Sequence, residues 1–85
     1  MNADRMIKVN LLLFGAAADA AGIRETAVET IDGISVVQFI DHLIECHQGL
    51  AGMRLLAALN EEYVPAETPI SAGDTVAVFC PVSGG

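Results

Sequence analysis

The sequence predicts an α+β domain in which one long helix covers one face of a sheet and a short tail follows the last strand. Three observations carry that expectation. Apolar residues alternate near both ends of the chain, at Ile7, Val9, Leu11 and Leu13 and again at Val76 and Val78, which is the period of a strand. Between them, Val36, Ile40, Leu43 and Ile44 recur at helical spacing behind Ser35 and Gln38, a pair spaced as a capping box. The chain has 85 residues, of which 53% are hydrophobic, enough for one core and too few for a second.

Met1 to Arg5 is polar and patternless and reads as a frayed extension, leaving 6–81 as the domain and 82–85 as the tail. Ile7 to Phe14 is the first strand. Leu12 and Phe14 make its far half apolar on both faces, as in a strand entering a sheet covered on both sides. Ala16 to Ala21 is alanine-rich and predicts a helix of one or two turns, ended by Gly22. Thr26, Val28 and Thr30 give a second, β-branched strand that closes at Asp32-Gly33 and pairs with the first as a wide hairpin around the small helix. The long helix starts after Ser35, is widened by Phe39 and ends at Gly49. Leu55 to Leu59 reads as a central strand, followed by the polar turn Asn60-Glu61-Glu62. Pro65 and Pro69 restrict the next stretch to loop or edge, and Ser71 to Asp74 is a turn. Thr75 to Phe79 is the last strand, stopped by Cys80-Pro81.

Composition narrows the function. Four basic residues against eleven acidic ones give a net charge of −7, a field that repels phosphate backbones and anionic membranes and steers toward basic protein surfaces. Nucleic-acid and membrane binding are therefore disfavoured. Arg5, Lys8 and the run Val9 to Ala18 imitate a secretory leader, but Asn10 interrupts the run and Asp4 sits where a leader is basic, so a cytoplasmic chain is expected. Cys46 and Cys80 form no C-x-x-C pair, which fits a reducing compartment.

The usual signatures of an autonomous active site are missing: there is no G-x-x-x-x-G-K, H-E-x-x-H or G-x-S-x-G. His42 and Cys46, four apart, can share a helix face, but His47 projects about 100° away and no fourth metal ligand is evident. Cys80 lacks a neighbouring cation to activate its thiol and reads as a small packing residue. What remains is Gly84-Gly85 at the end of the chain. They follow a strand and a φ-fixing proline, so the tail starts in a set direction and ends in bare backbone that can thread a narrow channel and deliver its carboxylate elsewhere.

Three segments resemble the ubiquitin-like MoaD/ThiS sulfur-carrier family, and within it the small subunits of molybdopterin synthase. Phe14-Gly15-Ala16-Ala17-Ala18-Asp19-Ala20-Ala21-Gly22 is in register with the family's F-A-R-L-R-E-x-x-G. Leu55-Leu56-Ala57-Ala58-Leu59-Asn60 matches L-x-x-A-V-N. Gly73-Asp74-Thr75-Val76-Ala77-Val78-Phe79-Cys80-Pro81-Val82-Ser83-Gly84-Gly85 matches G-D-E-V-A-x-x-P-P-V-S-G-G. The resemblance implies the β-grasp fold, a mixed sheet with one long helix on one face and a protruding C-terminal tail.

It also implies a carrier that is not an enzyme on its own and binds no cofactor. Gly85, preceded by Gly84, would be adenylated by a MoeB-like activating enzyme using ATP and become a thiocarboxylate with sulfur from a cysteine desulfurase or rhodanese-type donor. Inserted into a MoaE-like large subunit within a heterotetramer, it would give sulfur to cyclic pyranopterin monophosphate for molybdenum cofactor biosynthesis. Family contacts fall on Phe14, Tyr63, Phe79, Pro81, Val82 and Ser83; from the residues alone, Phe14 reads equally as core, and Tyr63 and Phe79 as exposed. Ala16 and Ala18 stand where the family carries arginines, and Cys80 replaces the first of its two prolines. Two other readings stay open: a carrier or protein modifier serving thiazole, cysteine or tRNA thiolation, and a plain interaction domain whose tail is incidental.

Overall fold

The computed structural model describes residues 5–81; most of the N-terminal extension and all of the 82–85 tail lie outside them. The elements are strand β1 (Met6–Phe14), helix α1 (Gly15–Ala21), strand β2 (Glu25–Ile31), helix α2 (Val36–Cys46), a 3₁₀ turn (Gln48–Leu50), and strands β3 (Leu56–Leu59) and β4 (Thr75–Phe79). They build a four-stranded sheet in the order β2-β1-β4-β3. β1 is antiparallel to β2 and parallel to β4, and β3 is antiparallel to β4. This mixed sheet with α2 across one face is the β-grasp arrangement that the resemblance implies.

The alternation in β1 sends Ile7, Val9, Leu11 and Leu13 into the core, where they meet Val76 and Val78 of β4. Helix α2 closes that side with Val36, Phe39 and Leu43. Its start is fixed as the sequence predicts: Ser35 Oγ accepts from the Gln38 N–H at 3.2 Å, and Gln38 Oε1 accepts from the Ser35 N–H at 3.2 Å, so two orphan donors are satisfied reciprocally. Leu50 and Ile70, both fully buried, plug the core from the 3₁₀ turn and the 63–70 loop. No helix among the described residues is long and apolar enough to cross a membrane.

Three expectations need correction. Helix α2 ends at Cys46 rather than Gly49: the His47 N–H makes the helix's last bond, to the Leu43 carbonyl at 2.9 Å, His47 itself leaves the helical region at φ −131° and ψ 86°, and the chain tightens into the 3₁₀ turn through the Leu50 N–H on the His47 carbonyl at 2.9 Å. Gly49 instead lies against the Ala20 backbone of α1, where a Cβ would collide with the Ala20 carbonyl. The run Leu55 to Leu59 forms an edge strand, not a central one, and β4 takes the central place beside β1. Leu12 and Phe14 do not enter a sheet covered on both faces; they lie on the side away from α2, Leu12 half-buried and Phe14 50% exposed.

The turn after β3 joins sheet and loop. Asn60 and Glu61 both have positive φ, 52° and 71°, and Leu59 and Glu62 exchange backbone hydrogen bonds of 2.8 and 3.1 Å, the pattern of a two-residue type I′ turn. Asn60 suits the left-handed region and glutamate does not. Replacing Glu61 by glycine is therefore expected to stabilise the protein by about 1 kcal/mol, read as a higher midpoint in chemical denaturation. Gly49→Ala should destabilise it by about 1–3 kcal/mol in the same assay, since the neighbour it meets is backbone.

Candidate functional site

Parallel pairing of β1 and β4 ends at Phe14↔Phe79, so the chain leaves β4 at Cys80 and Pro81 beside the junction of β1 and α1. A shallow cleft lined by Phe14, Gly15, Phe79, Cys80 and Pro81 marks that exit. Cys80 and Pro81 are half-buried. The register of three strands then sets two apolar rows side by side on the face away from α2: Phe14, Phe79 and Leu56 in one, Leu12, Ala77 and Ala58 in the next. Leu56 is 42% exposed and Tyr63 75%. The Tyr63 ring stands edge-on to Phe79, centroids 6.1 Å apart and planes at 68°, so Phe79 is partly covered rather than open.

The rim of this patch is acidic. Glu61 and Glu62 precede Tyr63 in sequence, and Glu25 is the β2 partner of Leu12. Beneath the rim, Asn60 and Asp74 clamp the loop ends to the sheet. Asn60 Nδ2 donates to Asp74 Oδ1 at 3.1 Å, Asn60 Oδ1 accepts from the Thr75 N–H at 2.9 Å, and Asp74 Oδ2 accepts from the Ser71 N–H at 2.8 Å. The result is an apolar platform next to the chain exit, with an acidic border, that offers a partner area and charge.

Phe14, Tyr63, Phe79 and Pro81 thus lie together at one end of the sheet, while Val82, Ser83, Gly84 and Gly85 fall outside the described residues. Leu56, Leu12, Ala58 and Ala77 share the same face and were missed from sequence: the unbroken run Leu55 to Leu59 conceals which residues turn outward, and only the pairing to Phe79 decides it. Ala16 is exposed and Ala18 buried, so only the first presents open surface where the family pattern has a cation. His42 and Cys46 are exposed on the flank of α2, and no group of three or more metal-binding side chains gathers among the described residues.

Comparison with known proteins places this geometry. A family model described as "ThiS family" matches residues 11–85. A Mycobacterium tuberculosis protein named molybdopterin synthase sulfur carrier subunit is 35% identical over 83 residues, covering 94% of this chain and 100% of its own. SAMP1 from Haloferax volcanii, also described as small archaeal modifier protein 1, superposes with a TM-score of 0.79 at 27% identity, over 92% of this chain and 99% of its own. One chain of a complex of subunits 1 and 2 of molybdopterin-converting factor from Helicobacter pylori has the same fold, with a TM-score of 0.64 at 22% identity over 93% of this chain and 100% of its own.

The platform separates from the core energetically. Tyr63→Ser is expected to lower stability by less than about 1 kcal/mol, since most of the ring is in water, whereas Leu13→Ala, at a fully packed site, should cost about 3 kcal/mol. Equilibrium denaturation of the two variants checks the contrast.

Proposed function

The chain belongs to the ThiS family, and we propose that it is the sulfur carrier subunit of a molybdopterin synthase, working through the carboxylate of Gly85. The observation that carries this reading is the coincidence of chain exit and apolar platform at one end of the sheet. A partner that grips Phe14, Leu56 and Tyr63 holds the domain so that anything following Pro81 enters the partner. The family match and the name of the 35% identical relative support the same role. The globule is the handle and the chain end is the reagent.

The chemistry follows from the weakness of a carboxylate as an electrophile. One Gly85 carboxylate oxygen attacks the α-phosphorus of ATP on a MoeB-like activating enzyme, pyrophosphate leaves, and the acyl-adenylate forms. Persulfide sulfur from a desulfurase or rhodanese-type donor then attacks the carbonyl carbon and AMP departs, leaving an acyl disulfide; a second thiol attacks the donor-side sulfur, forms a disulfide with the donor and releases the thiocarboxylate. Sulfur in that form is a nucleophile at neutral pH. Gly84 and Gly85 lack side chains, so the tail can extend into a narrow catalytic cleft of a MoaE-like large subunit, where the sulfur passes to cyclic pyranopterin monophosphate. Pro81, Val82 and Ser83, which precede the two glycines in sequence, would be the part of the tail that the large subunit contacts first. The partners hold the catalytic residues, in the cytoplasm, and the assembly is a heterotetramer. The domain, 6–81, serves as one docking unit.

A second reading is favoured by the likeness to the small archaeal modifier SAMP1: the same acyl-adenylate transferred to an amine of another protein, or sulfur delivered to a thiazole, cysteine or tRNA pathway. Products distinguish the two. Incubation with activating enzyme, ATP and sulfur donor should add about 16 Da to the intact chain, the exchange of one oxygen for sulfur. An unchanged mass counts against any carrier role, and a conjugate of higher mass supports the modifier. Removing Gly84 and Gly85 should abolish the gain while leaving the fold intact. Survival of cellular function in that deletion would instead support a plain interaction domain. Phe14→Asp is expected to weaken co-purification with the large subunit by at least about tenfold, because it buries a charge in the platform.

A further inference from the structure

Strand β2 is one edge of the sheet, and no further strand among the described residues pairs with its outer side. The Leu13 N–H bonds to the Arg24 carbonyl and the Asp32 N–H to the Arg5 carbonyl, at 2.8 and 2.7 Å. These two bonds bracket the ladder, so with the observed register Thr26, Val28 and Thr30 bond to β1 while Glu25, Ala27 and Glu29 turn their N–H and C=O groups outward. At the end of the strand the Ile31 carbonyl accepts from the Ile34 N–H at 3.1 Å, and the Ala27 carbonyl has only a long 3.5 Å contact from the Thr26 hydroxyl. Directly beside this edge runs a groove of about 340 Å³ between β2 and α2, with Val28, Thr30, Phe39 and Leu43 at its apolar base and His42 and Cys46 on its rim. An unpaired edge next to an apolar trough is the geometry that accepts an added strand.

The charges name the occupant. Neither β2 nor α2 contains a lysine or arginine; Lys8 of β1 is the cross-strand partner of Glu29, and against that cation the two elements and their connection carry Glu25, Glu29, Asp32, Asp41 and Glu45. A second copy of this chain is a poor guest: antiparallel pairing of two β2 strands about Ala27 would set Glu25 of one copy against Glu29 of the other. We propose that the β2 edge and the β2–α2 groove form a docking site for an extended basic segment of a partner protein, in which apolar residues alternate with lysine or arginine. The apolar residues fill the groove above Val28 and Thr30, and the basic ones lie on the opposite side of the sheet plane, facing Glu25 and Glu29. The groove lies on the α2 side of the sheet and the platform of Phe14, Leu56 and Tyr63 on the other, with Glu25 shared by the proposed docking site and the platform border, so one protein can hold the domain by its edge while another takes the chain end. Only that last consequence rests on the carrier reading; binding itself does not.

The test uses the ¹⁵N-labelled full chain and a peptide of about six residues alternating valine and lysine, with a peptide of the same composition in block order as control. The alternating peptide is expected to bind at about 10–100 µM, to shift the amides of Ala27 to Ile31 and of α2, and to weaken as salt rises. Glu25→Lys combined with Glu29→Lys should reduce affinity at least about tenfold. Ala27→Pro, which removes an outward N–H and no ladder bond, should do the same; an unchanged pattern of dispersed amides elsewhere shows that each variant is folded. Equal binding of the block peptide, no binding, shifts centred on Phe14 and Phe79, or indifference to the charge reversal would overturn the proposal. So would dilution-dependent shifts of β2 without peptide, which would identify a second copy as the occupant.

Discussion

The parallel register of β1 against β4 is the constraint on which the rest of the molecule depends. Parallel strands cannot be joined by a tight turn, so their alignment must be fixed by groups far apart in sequence. Asp74 does much of that fixing. Its carbonyl accepts from the Asn10 N–H at 2.9 Å, and the Gly73 N–H before it donates to the Lys8 carbonyl at 2.9 Å. Its carboxylate holds both Ser71 and Asn60. A slip of one residue would turn Val76 and Val78 out of the core and Thr75, Ala77 and Phe79 into it. With the register held, β4 finishes opposite Phe14 and the chain exit is set beside the platform.

The sheet divides two different surfaces. On the α2 side every strand contributes to one packed core, and the side chains there answer to stability. On the other side Phe14, Leu56 and Tyr63 remain largely in water although burying them would favour the fold. A domain of this size has one sheet and one long helix, too little material to cover both faces. An apolar patch left open on a small domain, beside the place where the chain leaves, fits the docking role proposed for it. Its acidic border sets which partners approach without adding to the core.

Much of the fold was legible because its signals are local. The alternation in β1 and β4, the capping box at Ser35 and the αL residue Gly22, with φ 78° and its N–H on the Ala18 carbonyl at 2.8 Å, each lie within a few residues. What was not legible depends on pairing across long distances. Strand order cannot be read from Leu55 to Leu59, since a short apolar run suits an edge or a centre equally. Phe14 reads as core or surface until its neighbour Phe79 is known, and Leu56 is invisible as a surface residue for the same reason. Gly49 looks like a helix terminator, whereas its lack of a side chain answers to the approach of Ala20 from another element. The groove beside β2 is the extreme case: Val28 and Phe39 announce only burial, and the open edge emerges from the sheet as a whole.

A patch that invites association and a charge that opposes it are joined in the same molecule, and the combination has a physical rationale. Exposed Phe14, Leu56 and Tyr63 would draw copies of the chain together by the same apolar burial that draws a partner. Copies share the net charge of −7, so their approach is opposed over roughly a Debye length, about 8 Å at physiological salt. A basic partner meets the opposite field and is steered in. Discrimination between self and partner therefore operates before contact and requires no special shape on the platform. On the proposed reading the platform itself needs no charge of its own, because the acidic residues at Glu61, Glu62 and along β2 and α2 would supply the selectivity that its aromatic and aliphatic groups lack.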